Sequence, residues 1–302
     1  MPCPPAPEPV RIHPEQMLDA QKSPVHASQS TSSLCLGQAD HNLSAWRRKT
    51  MALEILTLPA LNDNYMYVAH DPVSGDTAVI DVPEAAPAIA ALAERGWTLT
   101  DIFLTHHHWD HVDGLDELLA ACPARVHGAA ADAHRLPKLD NAFAEGDEIR
   151  IGQRKGIVLD VSGHTIGHVA LHFPDSKAVF TADSLMALGC GRLFEGTPDQ
   201  MWESLGKLMS LAPDTIDTEY TQSNAKFALT IEPDNSALIS RSKEIDVARA
   251  DGQPTVPSTL SEELATNPFL RAGLPGYGSH VGLPDASPAQ VFAEIRRRKD
   301  NF

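Results

Sequence analysis

The stretch LTHHHWDHVDG, residues 104–114, constrains this chain more than any other. Directly behind the apolar run Ile102-Phe103-Leu104 stand His106, His107, His108, Asp110 and His111. In an extended segment alternate side chains share a face, so His106 and His108 can converge on one ion. Where the chain bends after the strand, Asp110 and His111 can turn toward a second. Imidazole and carboxylate suit zinc, iron or manganese. His107 faces the opposite side and is given a structural role. A solvated loop would also explain adjacent histidines, but not further metal donors at apolar strand ends elsewhere.

Two such ends follow. In SGHTIGH, His164 stands at a strand-to-loop junction. In VFTADS, Asp183 follows Ala178-Val179-Phe180, and a carboxylate there can bridge two ions because each oxygen can take one. His168 and His172 read as supporting or structural residues. His13, His26, His41 and His134 read as surface residues.

The rest of the pattern supplies a frame. From Met51 onward, EILTL, YMYVA, TAVIDV, the run ending at Thr105, the stretch around Val126, GIVLDV, HVALHF and AVFTAD read as strands. AAPAIAALAERGW and GLDELLAACP interleave as helices, so the class is α/β. Beyond about residue 200 the patterns are helical, and Ser287-Pro288 forms an N-cap and first-turn pair for the last helix. The expected organisation is a metal-binding catalytic domain over 51–217 and a helical domain over 218–302. Residues 1–50 are Pro-rich, polar and without periodicity, and are expected to be a disordered extension. They lack the basic start and apolar block of a secretory signal, and Glu8, Glu15 and Asp19 suit a transit peptide poorly.

A net charge of -16 argues against nucleic acid as a partner. No apolar run is long enough to cross a bilayer, so no membrane partner is expected. Cys3, Cys35, Cys122 and Cys190 have no CxxC spacing and read as reduced thiols of a cytoplasmic protein. A monomer is expected. An acidic chain of this kind can hold an anionic ligand only in a local basic pocket.

Six blocks, THHHWDHVDG, SGHTIGH, FTADSLMALGCGRLFEGTPDQM, EYTQSNAKFALTIEPDN, NPFLR and FAEIRRRKDNF, together resemble the metallo-β-lactamase superfamily and, within it, the glyoxalase II (hydroxyacylglutathione hydrolase) family. HxHxDH alone marks only the superfamily. GCGRLFEGT, EYT and RRRKDNF are far more specific. The resemblance implies an αββα metallo-β-lactamase sandwich followed by a small helical domain that binds glutathione. It implies a thioesterase with two divalent metals, zinc before iron or manganese, that hydrolyses S-D-lactoylglutathione to D-lactate and glutathione. His106, His108 and His164 would hold the first metal, Asp110 and His111 the second, and Asp183 would bridge. Asp110 would also orient the attacking water. Arg192, Phe194, Tyr220, Arg296 and Lys299 would line the glutathione site, which supplies the basic pocket the net charge demands. Arg192 stands where a Lys is common and keeps the charge, whereas Phe194 stands where a Tyr is common and loses a hydroxyl. The other account of RRRK is a solvated helix end that favours the dipole.

The chain departs from the family at one ligand. A Gly-His pair usually precedes EYT, and its His completes the second metal site. Here the segment reads APDTIDTEYT, and no His lies between His172 and His280. Asp217 and Glu219 are candidate substitutes. Two other readings therefore stay open: a mononuclear iron dioxygenase acting on glutathione persulfide, and a catalytically weak glutathione-binding relative.

Overall fold

Strand β2 (Asn64–His70) reveals how the chain layers itself. Tyr65, Tyr67 and Ala69 enter one buried cluster, Met66 and Val68 another. Both faces are apolar because both are covered, as a sheet between two layers requires. The computed structural model describes residues 52–61, 64–212, 216–217, 221–251, 253 and 255–302, with backbone alone at 216–217 and 221. The expected extension over 1–50 lies outside the described residues.

Two six-stranded sheets pack face to face. The first runs β1 (Glu54–Ala60), β2, β3 (Asp76–Ile80), β4 (Thr98–Leu104), β5 (Arg125–Ala129) and β6 (Asn141–Phe143) in spatial order. It is antiparallel from β1 to β3 and parallel from β3 to β6. The second contains β7 (Glu148–Ile151), β8 (Arg154–Asp160), β9 (Val169–Phe173), β10 (Ala178–Phe180), β11 (Ile216–Asp217) and β12 (Ser258–Thr259), again in sequence order across the sheet. Between the sheets Tyr67, Ile80, Phe103, Leu171, Phe173 and Phe180 form the inner core.

Helices cover the outer faces. Ala88 and Leu92 of α1 (Ala85–Arg95) pack on the first sheet with Leu115 and Leu118, beyond the one-turn helix α2 (Trp109–Val112), from α3 (Leu115–Ala121). On the second sheet, α4 (Pro198–Met209) supplies Met201 and Leu205, and α5 (Thr221–Ile231) supplies Phe227. After α6 (Ser236–Ala250) and α7 (Leu260–Thr266), α8 (Pro268–Arg271) adds Phe269, and α9 (Pro288–Asp300) adds Phe292 and Ile295. The architecture is an αββα sandwich with a helical C-terminal segment, as the sequence implies. Ser287 caps α9 through Gln290, with Pro288 in the first turn.

Some elements differ from the sequence pattern. β6, β7 and β12 are three, four and two residues long, too short for a period to be read. β12 lies in the C-terminal stretch that reads as purely helical, yet pairs antiparallel with β11.

Because β3, β4 and β5 are parallel, the loops that leave them open at one edge, where α/β sheets place their ligands. Asp81 follows β3, the His motif follows β4, and Asp132 lies just beyond β5. Gly114 seats the motif: its N–H donates to the Val82 carbonyl at 2.9 Å, and a Cβ there would lie 2.6 Å from the Glu84 backbone. Gly114→Ala should therefore destabilise the fold by about 1–3 kcal/mol, read by denaturant unfolding.

Candidate metal centre

Asp81 orders the site. Its Oδ1 accepts the Thr105 N–H at 2.8 Å, and its Oδ2 accepts the Thr105 hydroxyl at 2.7 Å and His111 Nδ1 at 2.8 Å. A hydroxyl that donates to a carboxylate is left to accept, so His106 Nδ1, 3.0 Å from Thr105 Oγ1, is the donor there. His164 Nδ1 donates to the Arg192 carbonyl at 2.7 Å. All three rings carry a proton on Nδ1, and in the neutral rings of His106 and His164 Nε2 therefore presents a lone pair inward.

Those lone pairs meet. His108 Nδ1 stands 3.1 Å from His106 Nε2 and 2.9 Å from His164 Nε2, a spacing that places three acceptors around one cation. Asp183 Oδ2 is 3.2 Å from His164 Nε2, and its Oδ1 is 3.3 Å from His111 Nε2. Asp110 Oδ2 is 3.9 Å from His111 Nε2, while Asn64 Nδ2 donates to the Asp110 carbonyl at 2.8 Å. The structure thus brings His106, His108, Asp110, His111, His164 and Asp183 together.

The charges fit the same purpose. Burial, followed by the charge of His111, pushes His106 well below the usual imidazole range. Burial likewise lowers His108 and His164, which leaves these rings neutral and ready to donate. Burial opposes the His111 charge, but Asp81 and Asp183 outweigh it and hold its pKa well above the ordinary value. Burial also opposes the Asp183 charge, yet the His111 hydrogen bond and charge keep its carboxyl far below the usual range. His111 Nε2 is buried and faces Asp183 Oδ1 at 3.3 Å and Asp110 Oδ2 at 3.9 Å. An imidazole nitrogen held between two carboxylates suits a divalent cation, so the donor set fits a metal.

The rim is built from the loop after β10 and from α9. Gly191 donates to the Asp183 carbonyl at 2.8 Å, and a Cβ on it would approach that oxygen to 2.1 Å, so only glycine lets the loop close in. Phe194 is 62% exposed, its ring edge-on to His108 and His164 at 5.5 and 5.3 Å. Arg192 is exposed and lies 3.6 Å from Asp300. Arg296 is buried instead: it donates to the Cys190 carbonyl at 2.7 Å and pairs with Asp300 at 2.9 Å. Lys299 donates to Ser223 Oγ at 3.2 Å beside the Phe227 and Phe302 rings. Burial, then Arg296 and Arg192, lower its pKa, which marks a cationic rim. Tyr220, Thr218 and Glu219 lie outside the described residues, as does the Asp217 side chain.

His107 turns away from the cluster and bonds Asp132 at 2.9 Å. His168 stacks on His106 at 4.5 Å, His172 is partly buried in β9, and His134 is exposed. His13, His26 and His41 lie outside the described residues. Sequence reasoning missed Asp81, Asn64 and Asp132. For Asp81 the signal was present, since it follows the apolar Ala78-Val79-Ile80 as Asp183 follows its own run.

An αββα sandwich that gathers the HxHxDH donors at the edge of its strands defines the metallo-β-lactamase superfamily. The family model described as "Metallo-beta-lactamase superfamily" matches residues 64–217, and that described as "Hydroxyacylglutathione hydrolase C-terminus" matches residues 219–302. A hydroxyacylglutathione hydrolase from Jannaschia sp. (strain CCS1) is 64% identical over 252 residues, 82% of this chain and 98% of the relative. One from Methylococcus capsulatus (strain ATCC 33009 / NCIMB 11132 / Bath) is 53% identical over 253 residues, 83% of this chain and 99% of the relative. The chain belongs to the hydroxyacylglutathione hydrolase family, whose members are thiolester hydrolases. Solved structures share the fold. BLEG-1 B3 metallo-beta-lactamase has a TM-score of 0.56 at 18% identity, over 72% of this chain and 99% of that one. ETHE1 from Myxococcus xanthus has a TM-score of 0.54 at 23% identity, over 81% of this chain and 100% of that one.

Asp81→Asn removes the carboxylate that sets the His111 tautomer directly and that of His106 through Thr105. Zinc affinity should fall about 10- to 100-fold with the fold intact, read by chelator competition and near-UV circular dichroism.

Proposed function

We propose that this chain hydrolyses S-D-lactoylglutathione to D-lactate and glutathione. The observation that carries the proposal is the meeting of imidazole lone pairs and carboxylates beneath a cationic rim. His106, His108 and His164 would hold the first divalent ion, zinc before iron or manganese. Asp110, His111 and Asp183 would hold the second. Without the usual Gly-His before Glu219, the second ion keeps three protein ligands and is held more weakly, as an open site permits. A monomer in a reducing compartment such as the cytoplasm is part of this proposal.

A divalent ion, when bound, makes water nucleophilic near neutral pH and polarises a carbonyl. The rest falls to side chains. Asp110 Oδ2 orients the attacking water and accepts its proton. Arg192 and Lys299 bind the carboxylates of glutathione, and Tyr220 joins them. Arg296 acts from behind, holding Cys190 and Asp300 so that the rim stays in place. Phe194 shields His108 and His164 from bulk water. The glutathione sulfur leaves as a thiolate, and a thiol pKa of about 8.5 makes a dedicated acid unnecessary.

The 53–64% identical relatives carry hydrolase names, and this does not favour the persulfide dioxygenase or the weak binding relative. Thioester hydrolysis with added zinc, iron or manganese tests the proposal, beside a variant with Gly-His inserted before Glu219. Two unequal metal affinities are expected in the native chain, and the insertion should tighten the weaker one. Asp183→Ala should lose both ions and at least about 99% of activity. Lys299→Ala should raise KM about tenfold with kcat nearly unchanged, the mark of lost uniform binding. A fully metal-loaded native protein that leaves the thioester intact would overturn the proposal.

A further inference from the structure

Behind the rim, one guanidinium joins segments that are distant in sequence. Arg135 Nε donates to Asp132 Oδ1 at 2.7 Å, and Arg135 Nη2 lies 2.6 Å from the same oxygen. Asp132 is wholly buried, and its other oxygen takes His107 Nδ1. On its far side Arg135 grips both oxygens of Glu195, the Oε2 contact being 3.1 Å, and donates to the Ile166 carbonyl at 2.9 Å. Glu195 Oε2 closes the ring by accepting the Ile166 N–H at 2.7 Å. The Arg135 hydrogen bond holds the Glu195 carboxyl down to about 2, so this end of the ring stays ionised.

The ring thus ties the His motif, the turn after β5, the loop of His164 and the loop of Arg192. The last of these needs a tether. Between Arg192 and Gly196 the backbone forms neither helix nor strand. It is pinned by Phe194 N–H to the His164 carbonyl and Gly196 N–H to the Gly163 carbonyl, both at 3.1 Å. Glu195 stands between these pins and next to Phe194, whose ring leans on two of the metal-facing histidines.

We propose that Arg135 is a positioning residue for thioester hydrolysis: through Glu195 on one side and Asp132 with His107 on the other, it aims the Arg192–Phe194 loop at the metal-binding turn. The proposal rests on the hydrolase function above. Arg135 touches neither the substrate nor the reacting atoms. Its planar fork serves two carboxylates and a carbonyl at once, which a lysine cannot do.

Removing Arg135 would strand the buried Asp132 charge and endanger folding, so the decisive variants lie at Glu195. Glu195→Ala frees the loop arm and leaves Asp132 paired. KM for lactoylglutathione and the calorimetric Kd for glutathione should both rise about tenfold, with kcat within about threefold and metal content unchanged. Glu195→Gln keeps one acceptor for Ile166 and Arg135 and should recover most of the loss. Arg135→Lys should behave like Glu195→Ala. An unchanged KM and Kd in Glu195→Ala, or losses confined to thermal midpoint and metal content, would overturn the proposal. A native protein that binds glutathione but turns nothing over would defeat the hydrolase function alone, because the calorimetric comparison still reads the loop. One that does neither would defeat both.

Discussion

The site depends on one buried carboxylate at the end of β3. Asp81 spends its oxygens on the Thr105 amide, the Thr105 hydroxyl and His111. Through these contacts it decides which nitrogen carries the proton in His111 and, by way of Thr105, in His106. A ring with the other tautomer would point a hydrogen at the cation. The residue also sits at φ 55°, a left-handed conformation that a non-glycine residue adopts at a cost. The fold holds Asp81 there because the end of β3 must turn sharply under the His motif, with the Asp81 N–H bonded to the Phe103 carbonyl at 2.9 Å.

Electrostatics then separates two halves of the cluster. The half at His106, His108 and His164 is neutral by burial and mutual repulsion. The half at His111 and Asp183 is an ion pair in which a proton occupies ground a cation could take.

Much of this was legible in the sequence. Metal donors cluster at strand ends, where apolar runs stop and the chain must turn, and that context singles out His106, His108, His164 and Asp183 from the other polar residues. Asp81 obeys the same rule but stands alone, with no neighbouring donor in sequence to mark it. The tail was harder to read. RRRK offers four cations, and only the helical period tells them apart. Arg296 falls one turn beyond Phe292 and is drawn inward with it, onto the Cys190 carbonyl. The strands β6, β7 and β12 left no trace, since pairing partners across the sheet fix them rather than their own alternation.

The small strand at Ser258–Thr259 binds the two parts of the chain more closely than their helix content suggests. It forms the outer border of a sheet whose remaining strands are made earlier in synthesis. A nascent chain that stops before it has an open edge, with backbone amides and carbonyls unmated. A product truncated before it would carry all six metal-facing side chains on a sheet whose border strand is Ile216–Asp217 and whose edge is left free to pair with a neighbour.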